Sequence, residues 1–123
     1  MEKIKRYRGC LLGGAAGDAL GYQVEFDKLQ EIRRQFGEGG VRSMGSHISD
    51  DTQMTLFTAE GMLMGRKHGM PMPDCVYQSY LDWYRTQRPG MPGGAFAAES
   101  ALLQQNSIAK AFQLIKLLKL LLI

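Results

Sequence analysis

Glycine recurs at every fourth position through a run of small and apolar residues, with Gly9, Gly13, Gly17 and Gly21 punctuating the stretch from Tyr7 to Gly21. At helical pitch these four positions fall on one face, so a helix here carries almost no side chain on that side. A second helix can approach such a face closely, which offsets the poor helix propensity of glycine. Asp18 lies inside the same segment, in GGAAGDALG. A carboxylate in apolar surroundings is costly unless paired or hydrogen-bonded, so Asp18 is expected to bond loop amides or to cap a helix.

Downstream, the apolar positions keep a helical period. Phe26, Leu29, Ile32 and Phe36 share a face, and Gly37 follows as a C-terminal cap. The segment from Glu38 to Ile48 holds three glycines and no sustained period, and is expected to be a loop. Ser49 offers an N-cap, with Asp50 and Asp51 in the first turn of a helix whose apolar face runs through Met54, Phe57, Gly61 and Met64 towards Gly65. Pro73-Asp74 opens a further helix with Val76, Tyr80 and Trp83 on one side, closed by Arg88-Pro89-Gly90. Another helix is expected over Gly94 to Gln105. No segment alternates with period two and no internal repeat is present, so the expected class is all-α. At 123 residues the chain suits one compact domain.

The final stretch differs in composition. Ile108, Ala111, Leu114, Ile115, Leu118, Leu121 and Leu122 fall on one side of a helix, with Lys110, Lys116 and Lys119 on the other. Such a helix packs on its own domain, docks on a partner or lies on an anionic surface. The net charge of +3 is spread over the termini, Arg33-Arg34 and Arg66-Lys67, and no aromatic-basic pattern accompanies it, so no nucleic-acid partner is expected. Cys10 and Cys75 have no C-x-x-C and no histidine cluster beside them, which points to a reducing cytoplasm and away from zinc. Asp18 interrupts the only apolar stretch near the N-terminus, which argues against a secretory signal, and no run is long enough to span a membrane.

The run Ser49-Asp50-Asp51-Thr52 is the strongest local signal. One reading is purely structural, because a serine cap and acidic residues complement the positive end of a helix dipole. The other is chemical. Adjacent carboxylates repel, and a hydroxyl with two carboxylates makes a hard-oxygen cluster of the kind that holds magnesium, manganese or calcium. Glu25, in GYQVEF, reads by itself as an exposed loop residue. His47 and His68 are isolated, and no phosphate-binding loop, dinucleotide fingerprint, zincin motif or nucleophile elbow occurs.

Taken in order, GCLLGGAAGDALGYQVEF, EIRRQFGEGGVRSM, HISDDTQMTLFTAEGML and YLDWYRTQRPGMPGG resemble the N-terminal part of the ADP-ribosylglycohydrolases, over about Tyr7 to Asn106. This all-helical hydrolase family includes arginine-specific enzymes and the bacterial dinitrogenase reductase-activating type. The resemblance implies a binuclear magnesium or manganese site that cleaves the bond between ribose and a modified side chain, releasing ADP-ribose from a protein or a small molecule. It places Ser49, Asp50 and Asp51 at the family's Thr-Asp-Asp ligands, with serine keeping the hydroxyl. It also implies catalytic roles for Asp50 and Asp51, makes Glu25 the glutamate of a mobile loop over metals and substrate, and makes Asp18 architectural.

The pattern then departs from the family. The second acidic ligand cluster has no counterpart after Asp82, where Glu99 is the only acid, and Asn106-Ser107 is not followed by a glycine-rich segment. The expectation is a family-like region over residues 1–106 and a divergent basic tail over 107–123, read from a shifted frame in a C-terminally truncated product. Such a chain is expected to bind metal weakly and to hydrolyse little or nothing. The competing expectation is a non-catalytic helical module whose tail binds a partner or a membrane.

Overall fold

A computed structural model of the chain describes residues 2–88. These residues form four α-helices and no β-strand: α1 (Glu2–Gly21), α2 (Leu29–Phe36), α3 (Asp50–His68) and α4 (Met72–Thr86), with a short 3-10 turn over Tyr22–Val24. The expected all-α class holds. The expected helix over Gly94 to Gln105, the tail helix and the Pro89-Gly90 stop lie outside the described residues.

Helix α1 begins at Glu2, ahead of the expected Tyr7. Its first turn carries an i,i+4 ion pair, Arg6 to Glu2 at 2.6 Å, a type of contact that supports a helix by roughly 0.2–0.5 kcal/mol. Helix α2 starts at Leu29 and leaves Phe26 outside, 92% exposed. The start is set by Glu31, whose carboxylate accepts the Lys28 backbone N–H at 2.8 Å. Gly37 ends it as expected, with φ 77° and its N–H donated to Arg33 O at 2.8 Å. Helix α3 runs past Gly65 to His68 and stops at Gly69, whose φ of 65° is the left-handed geometry of a helix end.

Two glycines of α3 decide how it meets α4. A Cβ on Gly61 would lie 2.5 Å from Val76 Cα, and one on Gly65 would lie 3.3 Å from Met72 Cα, so the two backbones nearly touch. This geometry also sets the phase of α4. Of the three residues expected on one side, Trp83 packs against the core and Val76 is half-buried but Tyr80 is exposed, and the fully buried positions are Cys75, Ser79 and Asp82. Only small side chains fit near the crossing, and Tyr80 is turned out so that its hydroxyl meets Thr58 Oγ1 at 2.8 Å.

The glycine face of α1 behaves differently. Among the described residues, nothing lies within 4 Å of the Cβ positions of Gly9, Gly13, Gly17 and Gly21. None of the described helices makes the expected close approach there, and α1 packs on α3 through its other side. That side gives Ala15 and Ala19 to a core completed by Ile48, Leu56 and Phe57, with Leu11, Leu12 and Trp83 packed against it. Burying Leu56 and Phe57 is worth roughly 1.5–3 kcal/mol each. Cys10 is exposed and Cys75 fully buried, both as free thiols. No described helix is long and apolar enough to cross a membrane.

The two kinds of glycine give opposite expectations. Gly61→Ala must push the α3 and α4 backbones apart and is expected to cost about 1–3 kcal/mol or more. Gly9→Ala enters open space in a helix interior and is expected to stabilise by about 0.5–1 kcal/mol. Thermal unfolding of the two variants checks both signs.

Candidate metal centre

The segment between α2 and α3 is long for a loop, yet it is tied down along its length. Gly45 N–H donates to Ala19 O at 3.1 Å and Gln23 Nε2 donates to Ser43 O at 2.8 Å. The Tyr22 and His47 rings stack with centroids 6.0 Å apart. Ile48 then enters the core. These contacts deliver Ser49 to the side of α1 that carries Asp18.

Asp18 Oδ2 accepts two donors there, the Ser49 backbone N–H at 2.9 Å and Thr52 Oγ1 at 2.5 Å. This satisfies the carboxylate that looked anomalous inside the glycine segment. The capping half of the sequence reading also holds. Ser49 Oγ accepts the Asp51 N–H at 3.0 Å and α3 begins at Asp50. One turn on, Thr55 Oγ1 donates to Asp51 O at 2.8 Å.

A groove of about 320 Å³ opens between α1 and the amino end of α3. The bare glycine face forms one wall through Gly13 and Gly17, and Asp18, Asp51, Thr52 and Thr55 supply its polar atoms. Ser49, Asp50 and Asp51 are thus brought together on one turn, with Asp51 reaching the groove. Glu25 follows the 3-10 turn, is exposed and does not line the groove. Thr55 is a groove residue that the sequence reading missed. Its signal was its place four residues after Asp51, on the same side of the helix.

The donor chemistry suits a hard divalent cation in part. Ser49 Oγ keeps lone-pair capacity beyond its cap bond, and neither the Asp50 nor the Asp51 carboxylate is engaged in a hydrogen bond or ion pair among the described residues. Consecutive residues at one helix end supply only part of a coordination sphere, and no group of three or more His, Cys, Asp or Glu side chains is clustered to hold a metal among the described residues. The positive end of the α3 dipole opposes a cation, so the carboxylates must outweigh it.

Comparison with known proteins settles the family. The ADP-ribosylglycohydrolase family matches residues 1–116. The chain belongs to that family. It is 34% identical over 89 residues to an ADP-ribosyl-[dinitrogen reductase] glycohydrolase of Rhodospirillum rubrum, a match that covers 67% of this chain and 29% of that protein. It is 30% identical over 98 residues to an ADP-ribosylarginine hydrolase of Serratia proteamaculans, covering 77% of this chain and 26% of that protein. An uncharacterised protein of Archaeoglobus fulgidus is 35% identical over 68 residues. The alignments thus take in less than a third of either named glycohydrolase. No solved structure matches the chain significantly.

Removing the local cap separates it from the rest of the site. Ser49→Ala leaves Asp18 its two donors, because one of them is a backbone amide, and is expected to cost about 1 kcal/mol through the lost bond to the Asp51 amide. Chemical denaturation of the variant against the parent chain measures it.

Proposed function

We propose that this chain carries the metal-binding carboxylates of an ADP-ribosylglycohydrolase site, with Ser49, Asp50 and Asp51 as ligands to magnesium or manganese. The observation that carries the reading is the uncommitted pair of carboxylates beside a groove, held at a capped helix end in a member of this family. Its substrate is an ADP-ribosylated protein or small molecule. ADP-ribosylarginine is the first choice for assay, because one relative is named for that linkage. The two free thiols suit a reducing cytoplasm.

The chemistry follows from the reaction class. Cleavage of a ribosyl bond passes through an oxocarbenium-like state, which nearby carboxylates stabilise. Held by Ser49, Asp50 and Asp51, magnesium or manganese would supply orientation of ribose hydroxyls and a lowered pKa for the attacking water. Asp51 holds negative charge at the groove, and Asp50 adds a second carboxylate beside it on the same turn. Glu25 takes the role of a gating or substrate-facing carboxylate, and its exposed position beyond the 3-10 turn, outside the groove lining, suits a group that meets ligand from the solvent side. One copy of the sequence supplies this acidic cluster and no second one after Asp82, so the isolated chain is expected to release little or no ADP-ribose.

Metal binding is therefore the sharper test. At ten times its dissociation constant, magnesium or manganese stabilises the fold by about 1.4 kcal/mol, which is a readable rise in melting temperature. The rise is expected in the parent chain, retained in Glu31→Gln and lost in Asp51→Asn. An equal rise in parent and Asp51→Asn, or none in either, overturns the reading. Robust ADP-ribose release by the purified chain, abolished in Asp50→Asn, would overturn the expectation of low turnover.

A further inference from the structure

We propose that Asp18 is the positioning residue of the metal-side turn, acting through Ser49 and Thr52 to aim the oxygens of Ser49, Asp50 and Asp51. This rests on the reading of those three residues as metal ligands. Ordinary capping of α3 is already performed by Ser49 Oγ on the Asp51 amide. The bonds to Asp18 fall elsewhere, on the backbone N–H of Ser49, which precedes the helix, and on the side chain of Thr52. They therefore bracket Asp50 and Asp51 from both sides, and both converge on one oxygen of a residue 31 positions away from Ser49.

The bracket is stiffly mounted. Asp18 sits one residue before Ala19, which is fully buried and whose carbonyl takes the Gly45 amide, so Gly45 and Ser49, four residues apart at the end of the loop, are both referred to the same turn of α1. Thr52 is itself buried, and Ile48 and Leu56 on either side are in the core. A shift of Asp18 thus moves the first turn of α3 relative to the groove without changing any candidate ligand. Partners that orient metal ligands typically matter by about 10–100-fold in affinity.

Two accounts of Asp18 differ in what they require of it. Positioning requires an acceptor oxygen, which asparagine retains; simple attraction of a cation requires the charge, which asparagine lacks. The experiment measures Mn2+ affinity of the full 123-residue chain by electron paramagnetic resonance, at a temperature where far-UV circular dichroism shows each variant folded. Asp18→Ala is expected to bind about tenfold more weakly or worse. Asp18→Asn is expected to remain within about threefold of the parent, since its carbonyl accepts both bonds. Thr52→Val, which removes one bracket bond and keeps the shape, is expected to fall between, and it stands in should Asp18→Ala fail to fold.

Amide hydrogen exchange at Ser49 gives a readout free of metal. It is expected to be slow in the parent and in Asp18→Asn, and fast in Asp18→Ala. Parent affinity in Asp18→Ala, or in Thr52→Val where that variant replaces it, overturns the proposal while leaving the metal site standing. Equal weakening in Asp18→Asn and Asp18→Ala also overturns it, and makes the role one of charge. A parent chain that binds Mn2+ no better than Asp51→Asn removes the metal reading itself, and the proposal with it.

Discussion

Asp18 Oδ2 receives two donors from the amino end of α3, and the order of the chain around the groove follows from that junction. The carboxylate sits against the positive end of the α3 dipole, where a negative charge is favoured. It is only partly withdrawn from water, so the desolvation cost is moderate and two hydrogen bonds offset it. Without this contact, α1 would touch α3 through little more than Ala15, Ala19 and their apolar neighbours, and the loop carrying Ser49 would lose its distal anchor.

Much of this arrangement is legible in the residues alone. Ser49 as a cap, Gly37 as a stop and the glycine-bearing loop before Ser49 are local matters, decided by backbone geometry within a few positions, and they appear where expected. Asp18 announces itself by being a charge in the wrong company. What was not legible is set by tertiary contact. Gly65, towards which the apolar face of α3 runs, is an interior point of close approach, and the helix stops at Gly69, where φ is 65°. Within α4 the departure is at Tyr80, a larger apolar surface than Cys75 or Ser79, because a crossing this tight selects for size over hydrophobicity; Trp83, beyond the crossing, packs against the core.

The candidate site divides in the same way. Ser49, Asp50 and Asp51 are consecutive, so chain connectivity alone brings them together on one turn. Glu25 lies on a different element, and its relation to them depends on a turn beyond α1 that no local pattern specifies. The glycine stripe shows the same limit in reverse. Its periodicity states that something can come close, yet the described residues leave it open as a groove wall.

The near-contact of α3 and α4 has a consequence for the two cysteines. Cys75 O lies 2.9 Å from where a Cβ on Gly61 would stand, and the Cys75 side chain is fully buried, while Cys10 on α1 is open to solvent. An alkylating reagent therefore meets one thiol at once and the second only when the α3–α4 seam parts. The native chain carries its own clock for local opening, read as the delay between single and double labelling, and needs no introduced probe.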